Sequence, residues 1–208
     1  MKIRFTTHQI CPVCEGWAID GMTHPKCKTK YTIDGLTSFF HYDAVIKKGL
    51  KLLKYRFVSD LTEEFIDLIS LSSLQSLLQQ FSGQATTNNQ STMFIPIPLH
   101  PSRQKFRGFN QAEVLGIKLA KKLNISIRTD ILKRVKKTIP QVEMQDREKR
   151  LKNMENVFLV NQLATNDQLP IVILFDDVFT TGATLRAAAN ALKRKGVKKV
   201  WGIVMAHG

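Results

Sequence analysis

Residues 173–184 read ILFDDVFTTGAT: an apolar run, two adjacent acids, then hydroxyls around a glycine. A short unbroken apolar run reads as a strand buried on both faces, the kind found in parallel sheets. In an open parallel sheet, ligands bind beyond the carboxyl ends of the strands. That is where this reading puts Asp176 and Asp177. The next helix begins near Thr184, so the backbone N–H groups of 181–184 lie at its N-terminus, with the positive end of the dipole and the Thr hydroxyls beside them. Gly182 allows close backbone approach and a positive φ. This loop suits an anion, whereas the two carboxylates are acceptors that match vicinal hydroxyl donors. A phosphate cradle with two acceptors beside it fits a ribose 5-phosphate. The competing reading is an ordinary strand–helix junction whose acids cap a turn.

Outward from this stretch the pattern is βα. MFIPIP (93–98) is a strand, HPSRQKFRGFN a loop, and QAEVLGIKLAKKLN a helix with Ala112, Leu115, Leu119 and Leu123 at helical spacing. After the motif, TLRAAANALKRKG is a helix closed by Gly196, and KVWGIVMA a last strand. Earlier, LTSFFHY (36–42) is a short strand, AVIKKGLKLLKY a helix, and one long amphipathic helix is expected from Ser59 through QQF. SGQATTNNQST (82–92) carries no hydrophobic period and reads as a linker. Strands alternating with helices predict a mostly parallel sheet with flanking helices. The chain contains neither G-x-x-x-x-G-K-[ST] nor G-x-G-x-x-G, so a Walker loop and a dinucleotide fingerprint are excluded.

CPVC (Cys11, Cys14) and HPKC (His24, Cys27) form a Cys₃His set, and each two-residue spacer lets one tight knuckle present two ligands. Three cysteines cannot all pair as disulfides, so a structural Zn²⁺ is expected there. The expected organisation is a zinc-binding module over 1–34, a helical and strand connecting region over 35–92, and a core over 93–208.

The 208 residues are 43% hydrophobic, enough for a real core. No run approaches the ~18 apolar residues of a membrane span, and MKIRFTTHQICPVC lacks the apolar segment of a signal peptide. A cytoplasmic protein is expected, touching the inner face of the membrane only through partners. The net charge is +14, with 21 Lys/Arg and 9 Asp/Glu from His100 onward. Such a field attracts phosphates on nucleotides or nucleic acids, although a solvated basic surface carries the same charge.

ILFDDVFTTGAT resembles the phosphoribosyl pyrophosphate (PRPP) motif of type I phosphoribosyltransferases. Together with IPIPLHPSRQKFRGFNQAEVLG, LKRVKKTIPQVEM, REKRLKNMENVF and CPVC…HPKC, it resembles the ComF family of competence proteins over nearly the whole chain. One departure is His24, where that family more usually has Cys. The resemblance implies a type I phosphoribosyltransferase-like sheet. Asp176 and Asp177 would hold the ribose hydroxyls, and Thr180, Thr181, Gly182, Ala183 and Thr184 the 5-phosphate. It further implies a pyrophosphate loop carrying Arg103, Lys105 and Arg107 with Gln111, a mobile loop carrying Arg134, Thr138 and Gln141, and Mg²⁺ bound with PRPP. The implied partners are PRPP or ribose 5-phosphate, single-stranded DNA reached through Lys133–Lys152, and a helicase-like competence ATPase. Thr180 stands where 6-oxopurine salvage relatives carry an acid as general base, so no catalytic residue is assigned. A PRPP-binding competence protein, an active transferase on an unidentified acceptor, and a DNA-binding adaptor with a vestigial pocket all remain open.

Overall fold

Strand alternation in 171–175 builds both faces of a parallel sheet. In the computed structural model, which describes residues 3–55, 59–70, 72–79, 92–137, 156–161 and 171–208, every one of these five side chains is buried. Ile171, Ile173 and Phe175 join one apolar cluster, and Val172 and Leu174 join a second on the opposite face. That is why the run is apolar without interruption.

The strands are β1 (Gly35–His41), β2 (Thr92–Pro96), β3 (Ser126–Ile127), β4 (Leu132–Arg134), β5 (Phe158–Val160), β6 (Ile171–Phe179) and β7 (Val200–His207). Five of them form one sheet in the order β1-β7-β6-β2-β3, with every pairing parallel. β4 and β5 form a separate antiparallel pair. Thus β1, which precedes residue 93, stands in the same sheet as the later strands, paired Gly35 to Trp201 through His41 to His207. From β2 the chain moves outward to β3, and from β6 it moves the other way to β7. The carboxyl ends of β2 and β6 therefore flank the switch point where such sheets open a crevice.

The helices are α1 (Ala44–Tyr55), α2 (Ser59–Asp67), α3 (72–79), α4 (Pro101–Arg107), α5 (Gln111–Leu123) and α6 (Ala183–Arg194). Buried residues of α1, α2 and α5 pack on one face with Phe40, Phe94 and Phe175. α6 and the β4–β5 pair cover the other through Leu185, Ala188, Ala189, Leu192, Leu132 and Phe158.

Three local expectations change. The long helix from Ser59 breaks between α2 and α3, because the Ser70 hydroxyl accepts the Ser73 N–H and starts a new helix. The stretch after β2, expected as a loop, contains α4. His100 caps it by accepting the Ser102 N–H, Pro101 occupies its first turn, and Gly108 closes it at φ 79°. β6 does not stop before the acids; its pairing with β7 continues through Asp176–Val204 and Val178–Ala206 to Phe179–His207.

The N-terminal module lies along β1. Gln9 donates to the Ser38 carbonyl and accepts from its N–H, and the Thr23 hydroxyl donates to the Ile33 carbonyl at 2.6 Å. Antiparallel bridges Phe5–Phe40 and Met22–Gly35 cover that sheet edge, which would otherwise offer unpaired strand groups.

Candidate functional site

The alternation that splits 171–175 between the two faces shifts at the acids: Val178 packs with the cluster of Ile173 and Phe175, and Phe179 with that of Val172 and Leu174. Both acids are half-buried, and the Asp177 N–H donates to Asp176 Oδ1 at 2.9 Å.

Three residues beyond Phe179 the backbone turns into α6. Its N-cap is Gly182 at φ 67°, a residue with no side chain to cap the first turn. The left-handed conformation and close neighbours both require glycine: a Cβ there would stand 2.5 Å from the Phe179 ring. Thr181 is 8% exposed, and its hydroxyl is buried with no hydrogen-bond partner among the described residues. A buried hydroxyl left unpaired is costly, so it marks a position built for something else. Thr180 is exposed and Thr184 half-buried.

The switch-point geometry brings the cations of α4 and β4 toward these acids. Arg134 is only 8% exposed and lies with its guanidinium carbon 5.7 Å over the Phe158 ring. Burial holds its pKa below the usual guanidinium value, the Arg103 charge lowers it further, and the Asp176 carboxylate pulls the other way. Arg103, Arg134 and Asp176 thus share one electrostatic neighbourhood. Arg107 is half-buried and donates to Gln111 Oε1 at 3.1 Å, while Lys105 is exposed. Asn110, which caps α5, also donates to the Ile97 carbonyl and ties this segment to the end of β2. Thr138 and Gln141 lie outside the described residues, as does most of Lys133–Lys152; within it, Lys133, Lys136 and Lys137 are exposed.

The hollow directly bounded by Asp176, Thr180, Gly182 and Thr184 measures only about 10 Å³. A much larger cavity, about 750 Å³, runs instead along the outer face of α6, past Val13, Tyr31, Phe158 and Arg194. The chemistry outweighs the volume here, since a helix N-terminus meets an anion from open solvent with its amides and needs no enclosed chamber.

At the other motif, one donor atom from each of Cys11, Cys14, His24 and Cys27 comes within 4.8 Å of all the others. His24 donates through Nε2 to the Trp17 carbonyl at 2.8 Å, which leaves the Nδ1 lone pair facing Cys14 Sγ at 3.3 Å. That second bond fixes the tautomer and aims the ring, as it does for metal-bound histidines generally. Burial raises the Cys11 thiol pKa, but hydrogen bonds from the Cys14, His24 and Val13 backbone outweigh it and bring the value to about 7. Burial and the neighbouring sulfurs push Cys27 up to about 11. A cluster that favours one thiolate and resists a second is the electrostatic pattern that a bound cation relieves. The set could hold a metal such as zinc.

Sequence reasoning missed two features of this region. Phe158, beneath Arg134, comes from a strand with no motif of its own. The carbonyl of Pro12 reaches the loop at Gly182, a contact between the two ends of the chain that no spacing encodes.

The fold and sites define an α/β chain: a parallel five-stranded sheet with flanking helices and a Cys₃His group that could bind metal. No family model matches it. Over 116 residues it is 38% identical to competence protein F of Haemophilus influenzae, covering 54% of this chain and 49% of that protein. It is 25% identical over 191 residues to competence protein ComFC of Bacillus subtilis, covering 92% of this chain and 69% of that one. It is 30% identical over 139 residues to DNA utilization protein YhgH of Escherichia coli O157:H7, covering 64% and 58% respectively. The chain spans about half the length of the first of these relatives. These similarities agree with the ComF family that its motifs resemble. Among the described residues, no helix is long and apolar enough to cross a membrane.

Proposed function

We propose that the chain binds PRPP or a related ribose 5-phosphate at Asp176–Thr184 and acts in natural competence and DNA uptake. The observation that carries this reading is the buried Thr181 hydroxyl, without a hydrogen-bond partner among the described residues, beside the N-terminus of α6 with its glycine N-cap. The amides of 181–184 and that hydroxyl receive the 5-phosphate, and Asp176 and Asp177 receive the ribose hydroxyls. Arg103, Lys105 and Arg107 hold the pyrophosphate with Gln111 setting Arg107, and Arg134 adds a second cation near Asp176. Mg²⁺ accompanies PRPP, since that ion relies on substrate phosphates plus few protein ligands. Cys11, Cys14, His24 and Cys27 hold a structural Zn²⁺.

As pyrophosphate leaves C1, the carbon becomes cationic and the leaving group gains charge, so clustered guanidinium groups stabilise departure. The convergence of Arg103 and Arg134 favours this second reading, an active transferase. The names of the relatives support the competence role. Direct contact with single-stranded DNA is supported by exposed Lys133, Lys136 and Lys137, and by Phe106, 86% exposed between Lys105 and Arg107. An aromatic between cations suits base stacking. A helicase-like ATPase is the expected partner. Calorimetric titration with ribose 5-phosphate tests the site: saturable binding supports it, and absence of binding refutes it.

A further inference from the structure

The metal-binding knuckle forms a wall of the phosphate loop. A Cβ on Gly182 would stand 3.1 Å from the Pro12 carbonyl oxygen and 2.5 Å from the Phe179 ring, so these two groups fill the space a side chain there would need. Pro12 lies between Cys11 and Cys14. Val13 and Cys27 meet Ala183, the first residue of α6, across one cavity, and Cys11 is fully buried. The module also contacts β1, through Gln9 on the Ser38 carbonyl and through Gly21, where a Cβ would lie 1.9 Å from the Leu36 carbonyl oxygen. The module thus lies between β1 and the loop after β6.

From this contact we infer that the metal knuckle positions the phosphate loop, so that metal binding and 5-phosphate binding are thermodynamically linked. The inference rests on the assignment of 181–184 as the phosphate site. Gly182 is left-handed at φ 67°, and the Phe179 ring and the Pro12 carbonyl pack against it where a side chain would stand. An ion joining Cys11 to Cys14 fixes the turn that carries Pro12. Without it, the turn relaxes and the amides of 181–184 lose their common aim. Linkage is reciprocal, so a phosphate bound to the loop must tighten the metal by the same factor.

Hydrogen exchange on the full chain tests this, comparing zinc-loaded protein with protein stripped by chelator under reducing conditions. Exchange at amides 179–185 should accelerate roughly fivefold or more, while α5 stays protected as an internal reference. Unchanged exchange at 179–185 overturns the inference. Should α5 also lose protection, Gly182→Ala in the loaded protein provides the test, because the added Cβ pushes on Pro12 without touching a metal ligand. Zinc release to a colorimetric chelator should then quicken roughly fivefold, and an unchanged rate overturns the inference. Ribose 5-phosphate added to the wild type should slow that release. Accelerated exchange without any ribose 5-phosphate binding supports the coupling and overturns the site assignment instead.

Discussion

Arg134 is buried over Phe158 within electrostatic reach of both Asp176 and Arg103, one charge that favours it and one that opposes it. A buried cation with partial compensation costs stability and is kept where an anion will complete it. Arg134→Met retains volume and removes the charge. Without ligand it should unfold at an equal or higher temperature than the wild type. The thermal shift given by PRPP with Mg²⁺ should shrink at the same time. Thermal unfolding with and without PRPP measures both, and a variant that is destabilised yet keeps the full ligand shift would assign Arg134 to the fold.

Metal should be present at about one Zn²⁺ per chain, in line with the four donors the motif supplies. Cys14→Ser removes an exposed ligand and should abolish tight binding while the sheet stays folded. Elemental analysis and circular dichroism check the two parts. Wild type purified without chelator that carries no metal and has freely reactive thiols would refute the site.

Asp34 accepts from Lys193 at 2.7 Å and from the Val200 N–H at 2.8 Å, joining the end of the N-terminal module to α6 and β7. The paired side chains are only 7% and 12% exposed. Asp34→Ala strands a buried ammonium group and should cost about 3–5 kcal/mol. Denaturant melts should show Asp34→Asn to be milder, because the Val200 hydrogen bond survives.

How much of this was legible follows from which forces act locally. The span 44–55 reads directly as α1, and ILFDDVFTTGAT reads as strand, acids and helix start, because apolar period and glycine chemistry are local signals. The helix over Pro101–Arg107 was also encoded, in the Pro101 and Gly108 pairing, but a polar, basic composition hid it. The break at Ser70 turns on one hydroxyl in a run of serines and leucines that otherwise keeps helical period. β6 runs past its acids only because β7 continues beside it, which a strand cannot reveal alone. The resemblance places Arg134 on a mobile loop with Thr138 and Gln141; it instead ends β4, only 8% exposed, which nothing before the fold reveals. The meeting of Pro12 with Gly182 is purely tertiary.

His207 is half-buried at the end of β7, and its ring lies 5.4 Å from that of His41. Burial, then the His41 charge, lowers its pKa below 6.5. The unfolded chain therefore takes up a proton more readily than the folded one as pH falls through 6.5, so stability is fully present above that pH and declines below it. Urea melts at pH 7.5 and 5.5 should show this loss, and His207→Gln should reduce the difference. An unchanged pH dependence in the variant would place the effect elsewhere.

The most direct test of the ribose-phosphate site is calorimetry of ribose 5-phosphate, and of PRPP with Mg²⁺, on the wild type, Thr181→Val and Arg107→Ala. Valine keeps the shape of Thr181 and removes the buried hydroxyl that has no partner, so the empty variant should be as stable as the wild type or about 1 kcal/mol more so. Its affinity for both ligands should fall, by roughly tenfold if one phosphate hydrogen bond is lost. Arg107→Ala should weaken PRPP and spare ribose 5-phosphate, because only PRPP carries the pyrophosphate. Loss of stability in Thr181→Val with wild-type affinity for both ligands, or a wild type that binds neither, would contradict the account and leave the motif a strand–helix turn.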